Sequence, residues 1–341
     1  MANIYAVAKE AKVSAATVSA VVNGTAYVSP ALKARVEAAV RKLGYQPNLL
    51  ARSLAKQRSH MLGVIVPDIA NPFWPDVVRG AEDAAHAAGY TLILSNTDND
   101  ARKEELYVRL FLAKRVDGLI LAKAPGRLSR EMSALLSGSR VPIVKLFRAR
   151  SDFPGDAVVL DDRDAAFEAV SHLIRLGHRR IGMIAGVGEV TTGRRRTQGY
   201  RDALDQAGLD FEPELLRPGD YRVESGYAAG LDLLKLKPDA VFISNYLMAV
   251  GFMKALRQYR LRCPQDVAIV TCDDHPWLDS FSPRLTTVNF PKYTAGAEAA
   301  RVLVERLADR KRPSQTIELR SSLTIRDSCG SGLRGEQLER A

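Results

Sequence analysis

The chain is short of the residues that staple or metallate a fold. Its 341 residues include only three cysteines, Cys263, Cys272 and Cys329, and none belongs to a Cys-x-x-Cys pair. That spacing argues against a zinc ribbon or a disulfide framework and fits a reducing cytoplasm. No apolar run approaches bilayer length, and the amino terminus lacks an export-signal core, so neither a membrane protein nor an exported one is expected. Acids are scarce at the start. Residues 1–60 hold nine basic side chains, Lys9, Lys12, Lys33, Arg35, Arg41, Lys42, Arg52, Lys56 and Arg58, against Glu10 and Glu37 alone. This stretch therefore carries +7 of the chain's +10, and the remainder is near balance. A basic head on a near-neutral body is a footprint for phosphate binding, although a solvated charged surface gives the same imbalance.

Within that head, residues 5–23 pack two short helical patterns around a break at 12–14. Ser14 suits the start of the second helix, where its hydroxyl can cap free N–H groups. Small polar residues, Thr17 and Ser19, follow among alanines with no acid, a surface that can press against a polyanion. A third pattern runs over 31–43, with Leu32, Val36, Val40 and Leu43 at helical spacing. Ser29 can cap it, Pro30 suits its first turn and Gly44 ends it. A connector rich in Leu, Ala, Arg and Lys follows from 49 to 59.

From Met61 the texture changes to α/β. Apolar strands are expected at 62–66, 91–94, 118–121, 143–146, 157–160, 181–185, 240–243 and 267–271. Helical patterns such as 76–88, 164–176, 196–207, 225–234, 247–259 and 293–307 alternate with them. Alternation of this kind means parallel sheets covered on both faces. So many strands suggest two similar lobes, with a break near 161–162 and a return near 287–291. Residues 327–332 read as flexible coil.

The ordered residues resemble the LacI/GalR family of bacterial transcription regulators. In the head the match is Val7-Ala8, Val13-Ser14, Thr17-Val18-Ser19, Val21, Asn23-Gly24, Val28-Ser29, Leu43-Gly44-Tyr45 and Pro47-Asn48. In the body it is Asn71-Pro72-Phe73, Val116-Asp117-Gly118-Leu119-Ile120, Leu176-Gly177-His178-Arg179, Arg196 with Gly199-Tyr200, and Leu285-Thr286-Thr287-Val288. The resemblance spans residues 4 to about 326. It implies an all-α helix-turn-helix head, a hinge, and a two-lobed core like a periplasmic binding protein. The expected divisions are a head at 1–46 and a hinge at 47–60. One lobe takes 61–160 with about 290–320, the other 161–289 with about 321–327, and 328–341 form a flexible tail.

The resemblance also implies roles. Ala15, Ala16 and Ala20 face base edges from the second helix. Ala20 departs from the family's long basic side chain, and a methyl group cannot hydrogen-bond a base. Thr17, Ser19, Asn23, Tyr5, Tyr27 and Ser29 suit phosphate contacts, with Ser14, Tyr45 and Asn48 completing the DNA-facing set. Val18, Val21 and Val22 read as head core. Leu54 matches the wedge leucine of a hinge helix that orders on DNA, and Lys56 and Arg58 would hold phosphates.

For a small-molecule effector between the lobes, the resemblance and the strand ends point to Phe73, Trp74, Arg148, Thr192, Arg196, Tyr221, Asn245 and Asp273. Arg196 can equally pair with a carboxylate, and the aromatics can be lobe packing. Tyr246 stands where the family often has aspartate, so two arginines face fewer acids. The ligand expected is a sugar, a sugar acid or a sugar phosphate, with the arginines leaning toward an anion.

Enzyme readings lack residues. Gly186-Val187-Gly188 follows a strand, but Gly193 falls two places too late for a dinucleotide fingerprint, and no Walker lysine follows. Asp273-Asp274-His275 has no spaced second histidine to complete a metal site. His172 and His178 read as surface or capping groups. The expectation is a cytoplasmic homodimeric repressor on near-palindromic operator DNA, without cofactor, metal or catalysis. Residues 335–341 are too short for a tetramer-forming helix. The rival is a stand-alone sugar-binding receptor module with a degenerate head, supported by the alanines at 15, 16 and 20.

Overall fold

The computed structural model describes residues 3–24, 26–45, 58–126, 128–148 and 155–332. It divides into two compact units, residues 1–59 and 60–341. The first is helical: α1 (Ile4–Ala11), α2 (Ala15–Asn23) and α3 (Pro30–Leu43). Lys12 takes a left-handed conformation (φ 50°) and turns the chain between α1 and α2. Val7, Ala8, Ala11, Val18, Val36 and Ala39 form the small core, with Val21 and Val22 packed against it. Pro30 opens α3 as expected, but the Ser29 side chain makes no capping bond. The helix start rests on proline's preset φ alone.

The second unit is α/β. Its strands are β1 (Met61–Val66), β2 (Thr91–Asn96), β3 (Gly118–Leu121), β4 (Ile143–Leu146), β5 (Asp156–Leu160), β6 (Ile181–Ala185), β7 (Leu216–Pro218), β8 (Ala240–Ile243), β9 (Ala268–Cys272), β10 (Thr286–Asn289), β11 (Thr316–Leu319) and β12 (Ser322–Thr324). The helices are α4 (Phe73–Ala87), α5 (Ala101–Ala113), α6 (Arg130–Gly138), α7 (Asp162–Arg175), α8 (Thr191–Gln206), α9 (Val223–Lys235), α10 (Tyr246–Tyr259) and α11 (Lys292–Ala308).

Two six-stranded sheets result, ordered β11-β5-β4-β3-β1-β2 and β12-β10-β9-β8-β6-β7. Every pairing is parallel except β10 with β12. β3, β5, β6, β8 and β9 are buried at every residue, because helices cover both faces. The chain passes between the sheets three times: after β5, between β10 and α11, and between β11 and β12. Two crossings are tied together, since Ser321 N (3.0 Å) and Oγ (3.1 Å) donate to the Asp161 carboxylate. Helices α4 and α11 meet backbone to backbone. A Cβ on Gly296 would lie 1.8 Å from the Val77 carbonyl oxygen, so no larger residue fits.

Four strands, β7, β10, β11 and β12, were not among those expected; each has only three or four residues. The expected coil at 327–332 is instead anchored. Asp327–Cys329 form a 3-10 turn in which Ser328 and Cys329 are fully buried. His172, read as a surface group, is buried, and its Nε2 lies 3.4 Å from Cys329 Sγ. His178 Nε2 lies 3.3 Å from the Cys329 carbonyl oxygen. The two histidines hold this turn against the second sheet's lobe. Among the described residues no helix is long and apolar enough to cross a membrane.

Candidate functional site

In the helical unit, α2 starts as its sequence dictates. Ser14 Oγ accepts from Thr17 N at 3.1 Å and lies 2.9 Å from Thr17 Oγ1. No acid occupies the first turn. A helix start with free N–H groups and no acid favours an anion. Ala16 is exposed, while Ala15, Thr17, Ser19 and Ala20 are half-buried. Asn23 closes the helix. Ser29 is half-buried at the start of α3, and Tyr45 packs on the head core. Tyr5 and Tyr27 are 73% and 91% exposed, unusual for tyrosine without a partner surface. Asn48, Leu54 and Lys56 lie outside the described residues.

Several of the head's basic groups work internally. Arg35 Nη2 donates to the Ala11 carbonyl (2.5 Å) and the Lys12 carbonyl (3.3 Å), satisfying the end of α1. Lys42 pairs with Glu10 at 2.7 Å, and Lys33 with Glu37 at 4.0 Å. Lys9, Lys12 and Arg41 are exposed and have no ion pair among the described residues. They remain available to phosphates.

The second unit holds a cavity of about 440 Å³, mouth included, between its two sheets. Seven of the eight expected effector residues line it: Phe73, Trp74, Arg148, Thr192, Arg196, Tyr221 and Asp273. Asn245 does not. Its Oδ1 accepts from Met248 N at 3.0 Å, capping α10, and its Nδ2 donates to the Tyr221 carbonyl at 3.1 Å. Both ends of the amide are occupied, so Asn245 positions Tyr221 from behind. Asn71, Phe147 and Leu160 line the cavity without having been expected. Phe147 directly precedes Arg148 at the end of β4, and that adjacency was the available signal.

One wall is aromatic. Phe73, Trp74 and Phe147 stand with ring centroids 5.3 to 5.6 Å apart. The opposite wall is polar. Tyr221 OH lies 3.4 Å from Thr192 Oγ1. Its ring lies against Gly186, where a Cβ would fall 2.1 Å from the phenol oxygen. Gly193 similarly leaves room for the Val187 carbonyl, 2.3 Å from where its Cβ would stand. The glycines thus serve packing and a ligand wall, not a dinucleotide.

The charges are arranged unequally. Arg196 Nε donates to Asp162 Oδ1 at 2.7 Å, and its Nη1 bonds the Ser244 carbonyl; the paired side chains are 6% and 2% exposed. The guanidinium also stacks 4.9 Å from the centre of the Phe290 ring. Arg196 is therefore neutralised by a carboxylate, as its alternative reading allowed. Asp273 is 5% exposed, and its Oδ1 has no hydrogen-bond partner among the described residues. Burial pushes its carboxyl up to about 6, against the pull of Arg196 and Lys292. Phe147, Tyr221 and Asp273 all take positive φ (58°, 70° and 73°). Three of the ten non-glycine residues with positive φ among the described residues thus line this cavity.

The neighbouring Asp273-Asp274-His275 run forms no metal cluster. Asp274 pairs with Arg326 at 3.0 Å, and its carbonyl accepts from Lys292 at 2.7 Å. His275 packs on Trp277, ring centroids 4.4 Å apart. Among the described residues no three His, Cys, Asp or Glu side chains gather as a metal site.

Two family models match the two units: bacterial regulatory proteins of the lacI family over residues 3–48, and a periplasmic binding protein-like domain over residues 170–329. The HTH-type transcriptional repressor PurR of Proteus mirabilis is 36% identical over 339 residues, 97% of this chain and 98% of the relative. The chain belongs to the LacI family. PurR of Pectobacterium carotovorum is 35% identical over 337 residues, again 97% and 98% of the two chains. Among solved structures, the lac repressor dimer bound to operator and the anti-inducer ONPF matches with a TM-score of 0.86 and 27% identity, covering 96% of this chain and 99% of that one. The transcriptional regulator CelR in complex with cellobiose matches with a TM-score of 0.73 and 31% identity, covering 96% and 100%. As a LacI-family member the protein is a transcriptional regulator, with a DNA-binding head and an effector-binding core.

Proposed function

We propose that this regulator is a homodimeric repressor whose grip on a near-palindromic operator is set by a small molecule in the core cavity. The reading divides the chain into a head at 1–46 and a connector at 47–60. One lobe takes 61–160 with about 290–320, and the other takes 161–289 with about 321–332. The second lobe gains the Asp327–Cys329 turn that His172 and His178 hold.

The observation that carries the reading is α2: a Ser14-capped, acid-free helix start on a module whose Lys9, Lys12 and Arg41 have no ion pair among the described residues. Thr17, Ser19, Asn23, Tyr5, Tyr27 and Ser29 serve the backbone, and Ala15, Ala16 and Ala20 face base edges. With only methyl groups there, base readout runs through apolar contact with thymine methyls. Leu54 and Lys56 of the connector supply the remaining contacts. Phe73, Trp74, Arg148, Thr192, Arg196, Tyr221 and Asp273 line the effector site. The protein works in the cytoplasm on genes of carbohydrate or related metabolism, as a regulator and not as an enzyme, a reading supported by relatives that are named repressors.

A gel shift at graded salt tests this. Phosphate-driven binding falls linearly in log–log form as salt rises, with one preferred sequence. A shallow salt response on every fragment would favour the receptor-module alternative.

A further inference from the structure

The cavity is electrically polarised from one lobe to the other. Arg148 is 7% exposed and lines it from the end of β4. Its Nη1 donates to Asn99 Oδ1 (3.0 Å) and to the Lys123 carbonyl (2.7 Å). Both acceptors are neutral. No carboxylate lies within ion-pair distance of Arg148 among the described residues. The nearby Glu104 carboxylate accepts from the Ala124 amide, makes no ion pair with Arg148, and its charge acts on Lys123 as well as on Arg148. Nε and Nη2 of Arg148 have no partner among the described residues. A guanidinium hydrogen-bonded only to neutral acceptors becomes expensive when a ligand displaces the water facing it, unless that ligand is negative.

Across the cavity the sign reverses. The second arginine, Arg196, is already neutralised by Asp162. Asp273 presents an oxygen with no donor. One wall therefore holds an arginine with no ion pair and the other a carboxylate oxygen with no hydrogen-bond donor. The aromatic trio of Phe73, Trp74 and Phe147 covers the space beside Arg148 with apolar surface suited to a carbon skeleton.

Resting on the reading of this cavity as the effector site, we propose that the effector is a hydroxylated anion, a sugar acid or a sugar phosphate, with its charged group on Arg148 and a hydroxyl donating to Asp273. A neutral sugar satisfies Asp273 but leaves Arg148 without an ion pair once water is expelled. A bare anion satisfies Arg148 but leaves Asp273 unpaired. A hydroxylated anion meets both walls, and binding it draws the lobes together across the cavity.

The test is calorimetry on the full chain with matched probes: D-glucose, D-gluconate, D-glucose 6-phosphate, inorganic phosphate and L-serine. A charge-assisted pair on Arg148 predicts that D-gluconate or D-glucose 6-phosphate binds about 10- to 100-fold tighter than D-glucose. Inorganic phosphate binds weakly and competes with them. Arg148→Met abolishes the preference, and Arg148→Lys keeps a weakened one, which separates lost charge from lost folding. D-glucose binding as tightly as its acid overturns the proposal, as does L-serine outcompeting D-gluconate or anion binding unchanged in Arg148→Met. A response to D-glucose with none to any anion removes the charge inference and leaves the effector cavity standing. Silence from every probe counts against both.

Discussion

Replacing Asp273 by asparagine should stabilise the protein while blunting its response to ligand. The Asp273 carboxyl rises from 3.8 to about 6 because the folded chain buries it. Below pH 4 both folded and unfolded chains hold the proton, so burial of the charge costs nothing. Between the two values the unfolded chain has released its proton and the folded chain has not, so folding becomes steadily less favourable. Above pH 6 the full penalty applies, roughly 3 kcal/mol at about 1.36 kcal/mol per pH unit. Asp273→Asn removes that penalty, since an amide keeps the shape without the charge. Urea unfolding at pH 5 and pH 8 reads the effect: a gain approaching roughly 3 kcal/mol at pH 8 that shrinks by pH 5. The same variant should bind the effector about tenfold more weakly, because the acceptor loses its charge. In the wild-type chain, effector affinity should fall as pH drops below 6 and Asp273 takes up its proton. A variant less stable than wild type at pH 8, or equally altered at both pH values, would refute the assignment of Asp273 as an ionised, unpaired carboxylate held for a ligand.

Three further outcomes follow from the same structure. Arg196→Met leaves Asp162 buried without its partner and should cost about 3–5 kcal/mol in denaturant unfolding; a loss under 1 kcal/mol would mean the pair is not sealed from water. Ser14→Ala removes the cap of α2 and should cost the head about 1 kcal/mol, seen as faster amide exchange in residues 15–20 and weaker DNA binding. Unchanged exchange there would show that the cap is idle. Tyr246 carries a buried hydroxyl with no partner among the described residues. Tyr246→Phe should therefore raise stability by about 1 kcal/mol, and a destabilised variant would reveal an ordered water on that oxygen.

The alternation of short apolar runs with helical patterns made the α/β core legible, because strands buried on both faces read as continuous hydrophobic segments. The short strands escaped because three or four residues at a sheet edge, such as Leu216–Pro218, carry no periodicity to detect. The first turns of helices were missed for a related reason. α4 begins at Phe73 and α8 at Thr191, ahead of the patterns expected from 76 and 196. First-turn amides need no intrahelical acceptor, so proline and small polar residues are tolerated there. At the cavity, position along the strands was enough to find Arg148 and Asp273. It could not distinguish an open arginine from a neutralised one. That distinction depends on Asp162, which reaches Arg196 from 34 residues earlier in the chain. Asn245 misled for the same reason: its place at a strand end suits a ligand contact, and only the fold reveals that α10 and Tyr221 already occupy it.

The account stands or falls on whether the core cavity and the head exchange free energy. The decisive measurement is a binding cycle on the full chain, using its selected operator fragment and the hydroxylated anion that binds most tightly. Operator affinity is measured with and without the anion, and anion affinity with and without the operator. Both should change by one common factor, and at a fixed anion concentration the change should shrink in Arg148→Met, which holds the anion more weakly. An operator affinity that stays constant while the cavity is saturated would contradict it.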